Sequence, residues 1–256
     1  MNPLKKFLFE LQEIGNLVWR MLVGLHRGPR YFNEIIVQMD RIGVGSLGII
    51  ILTGFFTGGV LILQAYPTLA HYGAQSQAGQ GVATTLVREL GPVLCALMVA
   101  GRVGSAISAE LGSMKVSQQI DAMRALGTSP VRKLVTPRIV ALVITLPLLT
   151  VAADIFGMIG GGIVANQIYG LDPTTYVASV RMGVDIDDIM GGVIKPVIFG
   201  LIIGLVSCHK GLSTGGGTVG VGRSTTNAVV LSSIWVIISD FFLSKLLQTM
   251  FDSTIF

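Results

Sequence analysis

Charge is what this chain has least of. Only 12% of its 256 residues are Asp, Glu, Lys or Arg, against about 25% in a soluble domain. At 51% hydrophobic residues it lacks the polar groups to cover a water-facing surface. Burial in a membrane resolves that conflict and argues against a soluble enzyme. Cysteine is scarce too. Cys95 and Cys208 each sit in or beside an apolar run, without a Cys or His at metal-ligand spacing apart from the adjacent His209, which is too short to chelate as a pair. They read as buried small hydrophobes. The three histidines, His26, His71 and His209, are far apart, and no HExxH or CxxC occurs. Nothing supports a metal or a catalytic site. No cleavable leader is expected, because Glu10, Glu13 and Arg20 interrupt any apolar stretch after Lys5 and Lys6.

What the chain does have is long uncharged runs. Ile42 to Gln64 carries no charge and spans roughly 34 Å as a helix, enough for a hydrocarbon core. Tyr66-Pro67 is expected to end it. A second span is expected from Thr84–Leu90 to Ser108, a third from Ile139 to Gln167, a fourth from Val193 to Cys208 and a fifth from Ala228 to Phe251. Before them, residues 4–26 place Phe7, Leu11, Ile14, Val18, Met21, Leu22 and Leu25 on one helical face. That pattern suits a helix lying in the membrane interface, or one packed on protein. The expected fold class is all-α integral membrane, an interfacial helix plus five transmembrane helices and a short coupling helix. One domain covers residues 1–256, divided as 1–40 (interfacial helix and connection) and 41–256 (spans), with a polar island at 109–138.

The net charge of +4 reflects short basic blocks between apolar stretches rather than a nucleic-acid surface. Thirteen Lys and Arg fall before the first span, in the 109–138 island or in the 209–224 loop, against four on the other side. The positive-inside rule then puts the N-terminus and both basic loops in the cytoplasm and the C-terminus outside. Gly54 and Gly58, Gly157 and Gly161, and Gly200 and Gly204 are spaced as GxxxG, for dimer contacts or for packing within one chain. No 20–50-residue repeat is evident.

Two phosphate-loop patterns are decoys. Gly215, Gly217 and Gly220 fit GxGxxG, and Gly217, Gly222, Arg223 and Ser224 approach a Walker A spacing. Both need a strand before and an α/β domain around them, whereas a membrane span precedes this loop. No cofactor is expected, and ATP hydrolysis is not this chain's own.

Charges beside apolar runs are functional candidates, since each costs roughly 2.5–3.5 kcal/mol at the membrane centre. Arg88-Glu89 opens the second span, Lys195-Pro196 opens the fourth, and Arg102 lies near the end of the second. These three sites read equally as snorkelling cations. Asp154 and Asp240 lie deeper. Arg88 and Glu89, neighbours on a helix, point about 100° apart and are expected to pair with other groups. In the island, Leu111, Met114, Met123 and Leu126 recur among charges, which suggests short amphipathic helices, with Ser129-Pro130 opening a second one. Such a loop could dock a partner that supplies energy, or simply cover the membrane surface.

The run Leu86-Val87-Arg88-Glu89-Leu90-Gly91-Pro92, then Ala100-Gly101-Arg102-Val103-Gly104-Ser105, then Ala109-Glu110-Leu111-Gly112-Ser113-Met114 resembles the signature of MlaE/YrbE-type permeases. Gln119-Ile120-Asp121-Ala122, Gly127, Pro130 and Pro137-Arg138 belong to the same resemblance, which extends over nearly the whole chain. It implies a homodimeric inner-membrane ABC permease that moves phospholipids between the inner and outer membranes and maintains outer-membrane asymmetry. The implied partners are a cytoplasmic ATPase, which binds the ATP, a periplasmic MCE-domain protein and, in many systems, a STAS-domain protein. By position, the lipid pocket would be lined by Phe55, Ile62, Leu63, Tyr66, Arg88, Glu89 and Lys195. The ATPase-coupling element would be Glu110, Leu111, Gly112, Met114, Ile120, Asp121 and Met123. On this reading Arg88→Glu or Lys195→Glu would weaken lipid transport without loss of folding, and charge reversal at Glu110 or Asp121 would uncouple the ATPase. The rival from another class is a secondary carrier of a hydrophobic substrate that needs no ATPase. The Gly-rich stretch from Gly211 to Gly222 has no physical account at this level.

Overall fold

A computed structural model describes residues 12, 13, 15–19, 21 and 31–252. It is all-α among those residues. From Phe32 on, seven helices follow one another among the described residues: α1 (Phe32–His71), α2 (Gln75–Val116), α3 (Gln119–Ala125), α4 (Val131–Tyr169), α5 (Pro173–Met182), α6 (Ile186–Leu212) and α7 (Gly217–Asp252). Five of them, α1, α2, α4, α6 and α7, are long and apolar enough to cross a membrane. Residues 12, 13, 15–19 and 21 are helical, with Leu17 and Met21 buried and Trp19 exposed. The rest of the expected interfacial helix over 4–26 lies outside the described residues.

The helices overrun the expected spans at nearly every end. α1 has 40 residues, about 60 Å of helix, against roughly 30 Å of hydrocarbon. It begins at Phe32, so the expected division at 40/41 falls inside a helix. It also does not stop at Tyr66-Pro67, because Pro67 lies inside it. Proline has no N–H for the carbonyl four residues back, here Leu63 O. The Tyr169 hydroxyl donates to that oxygen at 3.3 Å, and a membrane helix tolerates proline when the freed carbonyl is satisfied this way.

The polar island resolves differently from the expected pair of short helices. Glu110, Leu111, Gly112 and Met114 belong to the end of α2, and only Gln119–Ala125 forms a separate short helix. Gln118, in the left-handed region at φ 60°, makes the corner between them. Gly127, at φ 73°, ends α3 with the Thr128 N–H on Met123 O (3.0 Å) and the Gly127 N–H on Arg124 O (3.0 Å), a Schellman closure that a glycine allows at little cost. Ser129-Pro130 then leads directly into α4, the third long helix, instead of a second short one. The expected loop after the third span contains α5. Asp172 caps it, its carboxylate accepting from the Thr174 and Thr175 N–H groups, with Pro173 at the first helical position.

The chain divides into two units, to which all five long helices contribute residues. One contains the described residues up to Ile42, Leu97–Thr145 and Ile198–Ile237. Its interior is built from Leu111, Ile120, Ile139, Leu142, Phe199 and Ile203, all buried. α6 lies close to α4 there, since a Cβ on Gly200 would sit 2.8 Å from Leu142 O and one on Gly204 3.0 Å from Ile139 Cγ1. The other unit contains Gly43–Ala96, Leu146–Val197 and the described residues from Ile238 on. In it α1 and α4 touch through backbone: a methyl group on Gly58 would overlap Gly157 O, and one on Gly160 would overlap Phe55 O. All three GxxxG pairs therefore take part in helix packing within the chain. Ile62, Ala78, Val82, Leu86, Ala165 and Tyr176 form the apolar centre of this unit.

Candidate functional site

Arg88 and Glu89 lie on a π-helical turn of α2, Leu86–Leu90, four and three residues before Pro92. π turns add a residue per turn and occur often at functional sites. Pro92 withholds the N–H that Arg88 O would receive in a regular helix. Lys195, from α6, donates to that oxygen instead, at 2.7 Å. The same ammonium bonds Glu89 Oε2 and Ser244 Oγ, each at 2.8 Å, and lies 3.4 Å from Asp240 Oδ1. The Ser244 hydroxyl also donates to Glu89 Oε2, at 3.1 Å. Asp240 and Ser244 are four residues apart on one face of α7. Arg88 points elsewhere, as its adjacency to Glu89 implied. Its Nε bonds and ion-pairs with Asp188 Oδ1. Asp188 is in the first turn of α6, and its other oxygen accepts from the Asp185 N–H at 3.2 Å, half of a capping box.

These groups surround a cavity of about 370 Å³ lined by Arg88, Glu89, Asp185, Asp187, Lys195 and Ser244, among others. That is within the roughly 300–1,000 Å³ of small-molecule sites. Lys195 is 2% exposed and saturated with oxygen partners, whereas the Arg88 side chain is 56% exposed. Sequence reasoning named Arg88, Glu89 and Lys195 but missed Asp188 and Ser244 as their partners. Three signals were legible: Pro92 four residues after Arg88, the i,i+4 pair Asp240 and Ser244, and the Asp185–Asp188 capping spacing.

None of the four apolar candidates lines this cavity. Ile62 is fully buried in the apolar centre of its unit, so it supports α1 rather than presenting a contact surface. Leu63, its neighbour, is 42% exposed. Tyr66 stacks on Tyr169 at 4.1 Å, and Phe55 packs edge-on against Phe56 at 5.5 Å. A separate, mainly apolar cavity of about 460 Å³, which sequence reasoning did not anticipate, lies between α4 and α5, with Ile159, Ile163, Tyr176, Val177 and Arg181 on its wall. Asp154 is buried against Gly91, and its Oδ1 makes no hydrogen bond among the described residues.

The coupling candidates separate into a support and a surface. Leu111 and Ile120 are fully buried, and a Cβ on Gly112 would meet Thr214 Oγ1 at 2.9 Å. Glu110 pairs with Arg138, 2.8 Å away and itself buried. Asp121 is exposed and bonds Lys115 (3.0 Å) and Arg124 (3.1 Å). The hydrogen bond from Lys115, more than the two positive charges, holds its carboxyl below the usual range. Met114 and Met123 are half-buried, and Leu126, immediately after α3, is 83% exposed. Among the described residues no three His, Cys, Asp or Glu converge on a metal position.

The model of the permease MlaE family matches residues 35–246. A "Probable ABC transporter permease protein" of Rickettsia bellii is 42% identical over 88% of this chain and 87% of its own length. A protein of the same description from Synechocystis is 41% identical over 82% of this chain and 80% of its own. The "Intermembrane phospholipid transport system permease protein MlaE" of Haemophilus influenzae is 35% identical over 94% of this chain and 93% of its own. With nearly the whole five-helix region matched and these identities sustained over it, the chain belongs to the MlaE permease family.

Proposed function

We propose that this chain is the permease subunit of an ABC transporter that moves phospholipids between the inner and outer membranes and so maintains outer-membrane lipid asymmetry. The observation that carries the reading is the charged cavity around Arg88, built into a protein whose long helices otherwise expose Leu, Ile, Val and Phe. A two-chain lipid needs apolar surface for its tails and polar groups for its headgroup. Leu63 and its neighbours on α1 supply the first and the cavity supplies the second. The name of the Haemophilus relative supports the substrate class.

The chain works as one permease domain in the inner membrane, as a homodimer, with its N-terminus and basic loops in the cytoplasm and its C-terminus in the periplasm. The basic residues, thirteen on one side against four on the other, support that orientation. Asp121, Met123 and the exposed Leu126 offer an ATPase a docking surface of mixed charge and apolar area, stiffened from beneath by Leu111 and Ile120. α2 carries both Arg88 and Glu110, which makes it the natural carrier of ATP-driven closure. A periplasmic MCE-domain protein and a STAS-domain protein complete the expected assembly.

The test is affinity purification of the tagged chain in mild detergent, with mass spectrometry of bound proteins and extracted lipids. An ATPase, an MCE-domain protein and phospholipid in one complex are the expected result. A chain that purifies without any nucleotide-binding partner would overturn the ABC reading in favour of an ATPase-independent carrier.

A further inference from the structure

The cations that mark the cavity are already engaged. Lys195 is buried and holds three hydrogen-bond acceptors with Asp240 beside them, and Arg88 gives its Nε to Asp188. The ionisable residues on the cavity wall are two cations, Arg88 and Lys195, and four carboxylates, Glu89, Asp185, Asp187 and Asp188. The wall is therefore acidic by two formal charges. Asp185 and Asp187 are both exposed, and neither carboxylate has a partner among the described residues. The four carboxylates do not converge as a metal-ligand set, so the wall is not organised around a single ion. It offers one accessible cation, Arg88, beside two unpaired anions.

From this arrangement we infer that the cavity selects zwitterionic, amine-bearing phospholipid headgroups over anionic ones. The inference rests on the phospholipid reading above and goes further by naming the headgroup class. The phosphodiester of such a lipid meets the exposed part of the Arg88 guanidinium, a donor suited to phosphate. Its ammonium, a few bonds away, meets Asp185 and Asp187. A lipid whose headgroup ends in a neutral polyol brings the same phosphate charge and nothing to neutralise the two aspartates, and like charge at close range disfavours it.

The experiment incubates the detergent-purified complex with equimolar phosphatidylethanolamine and phosphatidylglycerol and quantifies retained lipid by mass spectrometry. The native complex is expected to enrich the ethanolamine lipid by about threefold, the scale of one exposed ion pair. Asp185→Asn/Asp187→Asn is expected to abolish the enrichment by lowering the retained ethanolamine lipid and raising the retained glycerol lipid. Neither substitution removes the α6 cap, which uses the Asp185 backbone N–H and the Asp188 carboxylate, and Asp187→Asn alone serves if the double variant is unstable. Retention of both lipids in the ratio supplied would overturn the selectivity and leave the phospholipid permease standing. Enrichment that survives both substitutions would overturn the role of the aspartates. Retention of no phospholipid would overturn the reading beneath.

Discussion

Lys195 donates to the carbonyl oxygen of Arg88 at 2.7 Å, taking the place of the N–H that Pro92 cannot supply. The contact ties α6 to the π turn of α2 and gives the buried ammonium a backbone role besides its ion pairs. Tyr169 does the same for Leu63 O opposite Pro67. Both prolines lie inside long apolar helices, and in each case a side chain from another helix takes up the freed carbonyl.

Lys195 and Arg88 should respond differently to substitution. Lys195 lies between Glu89 and Asp240, so Lys195→Met leaves two carboxylates facing each other with no cation. Breaking a buried pair from one side costs about 3–5 kcal/mol, and the half-exposed Glu89 points to the lower end. Thermal unfolding in detergent should fall sharply for Lys195→Met and Lys195→Glu, so the expectation of intact folding does not hold for Lys195. Arg88→Gln keeps a donor for the buried Asp188 but not its charge, so it should lower the unfolding temperature less than Lys195→Met does and lose bound lipid, and unchanged lipid content would count against its headgroup role.

The α1–α4 contact leaves no room for a side chain at Gly58. Gly58→Ala should destabilise by about 1–3 kcal/mol through overpacking against rigid backbone. Gly48, on the same helix, has open space at its Cβ position, and Gly48→Ala should be neutral or slightly stabilising. Equal unfolding temperatures for the two variants would refute the close contact.

Tyr169→Phe removes the donor to Leu63 O. The expected loss is about 1 kcal/mol, the net value of a typical hydrogen bond. In a Pro67→Ala background the carbonyl regains its helical N–H, and the same substitution should cost much less. A double-mutant cycle on unfolding temperature measures the difference, and strict additivity would show that the hydroxyl does not serve this carbonyl.

Docking of an ATPase is tested most cleanly at Asp121 and Leu126. Glu110 pairs with the buried Arg138, so reversing its charge disturbs the fold as well as any interface. Asp121 is exposed and its pairs contribute little to stability. Asp121→Lys with Leu126→Asp should abolish co-purification of the ATPase while the permease stays folded and monodisperse. Undiminished co-purification would move the docking surface elsewhere.

The Asp172 cap gives a pH-dependent local stability. Hydrogen bonds from Thr174 and then Thr175 hold its carboxyl below its ordinary value of 3.8. A depressed carboxylate contributes fully above that ordinary value, and the contribution fades as pH falls through the lower folded value. Measured against the intrinsic rate at each pH, hydrogen exchange of α5 should therefore be unaffected by this group between neutral pH and about pH 5, and should quicken under stronger acid. Asp172→Ala should quicken it from neutral pH down to about pH 5, whereas Asp172→Asn should largely preserve the cap.

The membrane class and the five spans were legible because a hydrocarbon slab imposes a one-dimensional rule: about twenty consecutive apolar residues, charges kept to the ends. Arg88, Glu89 and Lys195 were equally visible in the sequence for what they cost there. Helix ends were misread, as at Pro67 and in the 109–138 island, because hydropathy marks where lipid stops and not where backbone hydrogen bonding stops. Only the tertiary structure decided that Tyr169 rescues Leu63 O and that the GxxxG glycines pack within the chain. It also showed Lys195 spent on Arg88 O, Glu89 and Ser244, with Asp240 close by. Those pairings join residues up to 107 positions apart, and no local pattern encodes a partner that reaches its site only when helices pack.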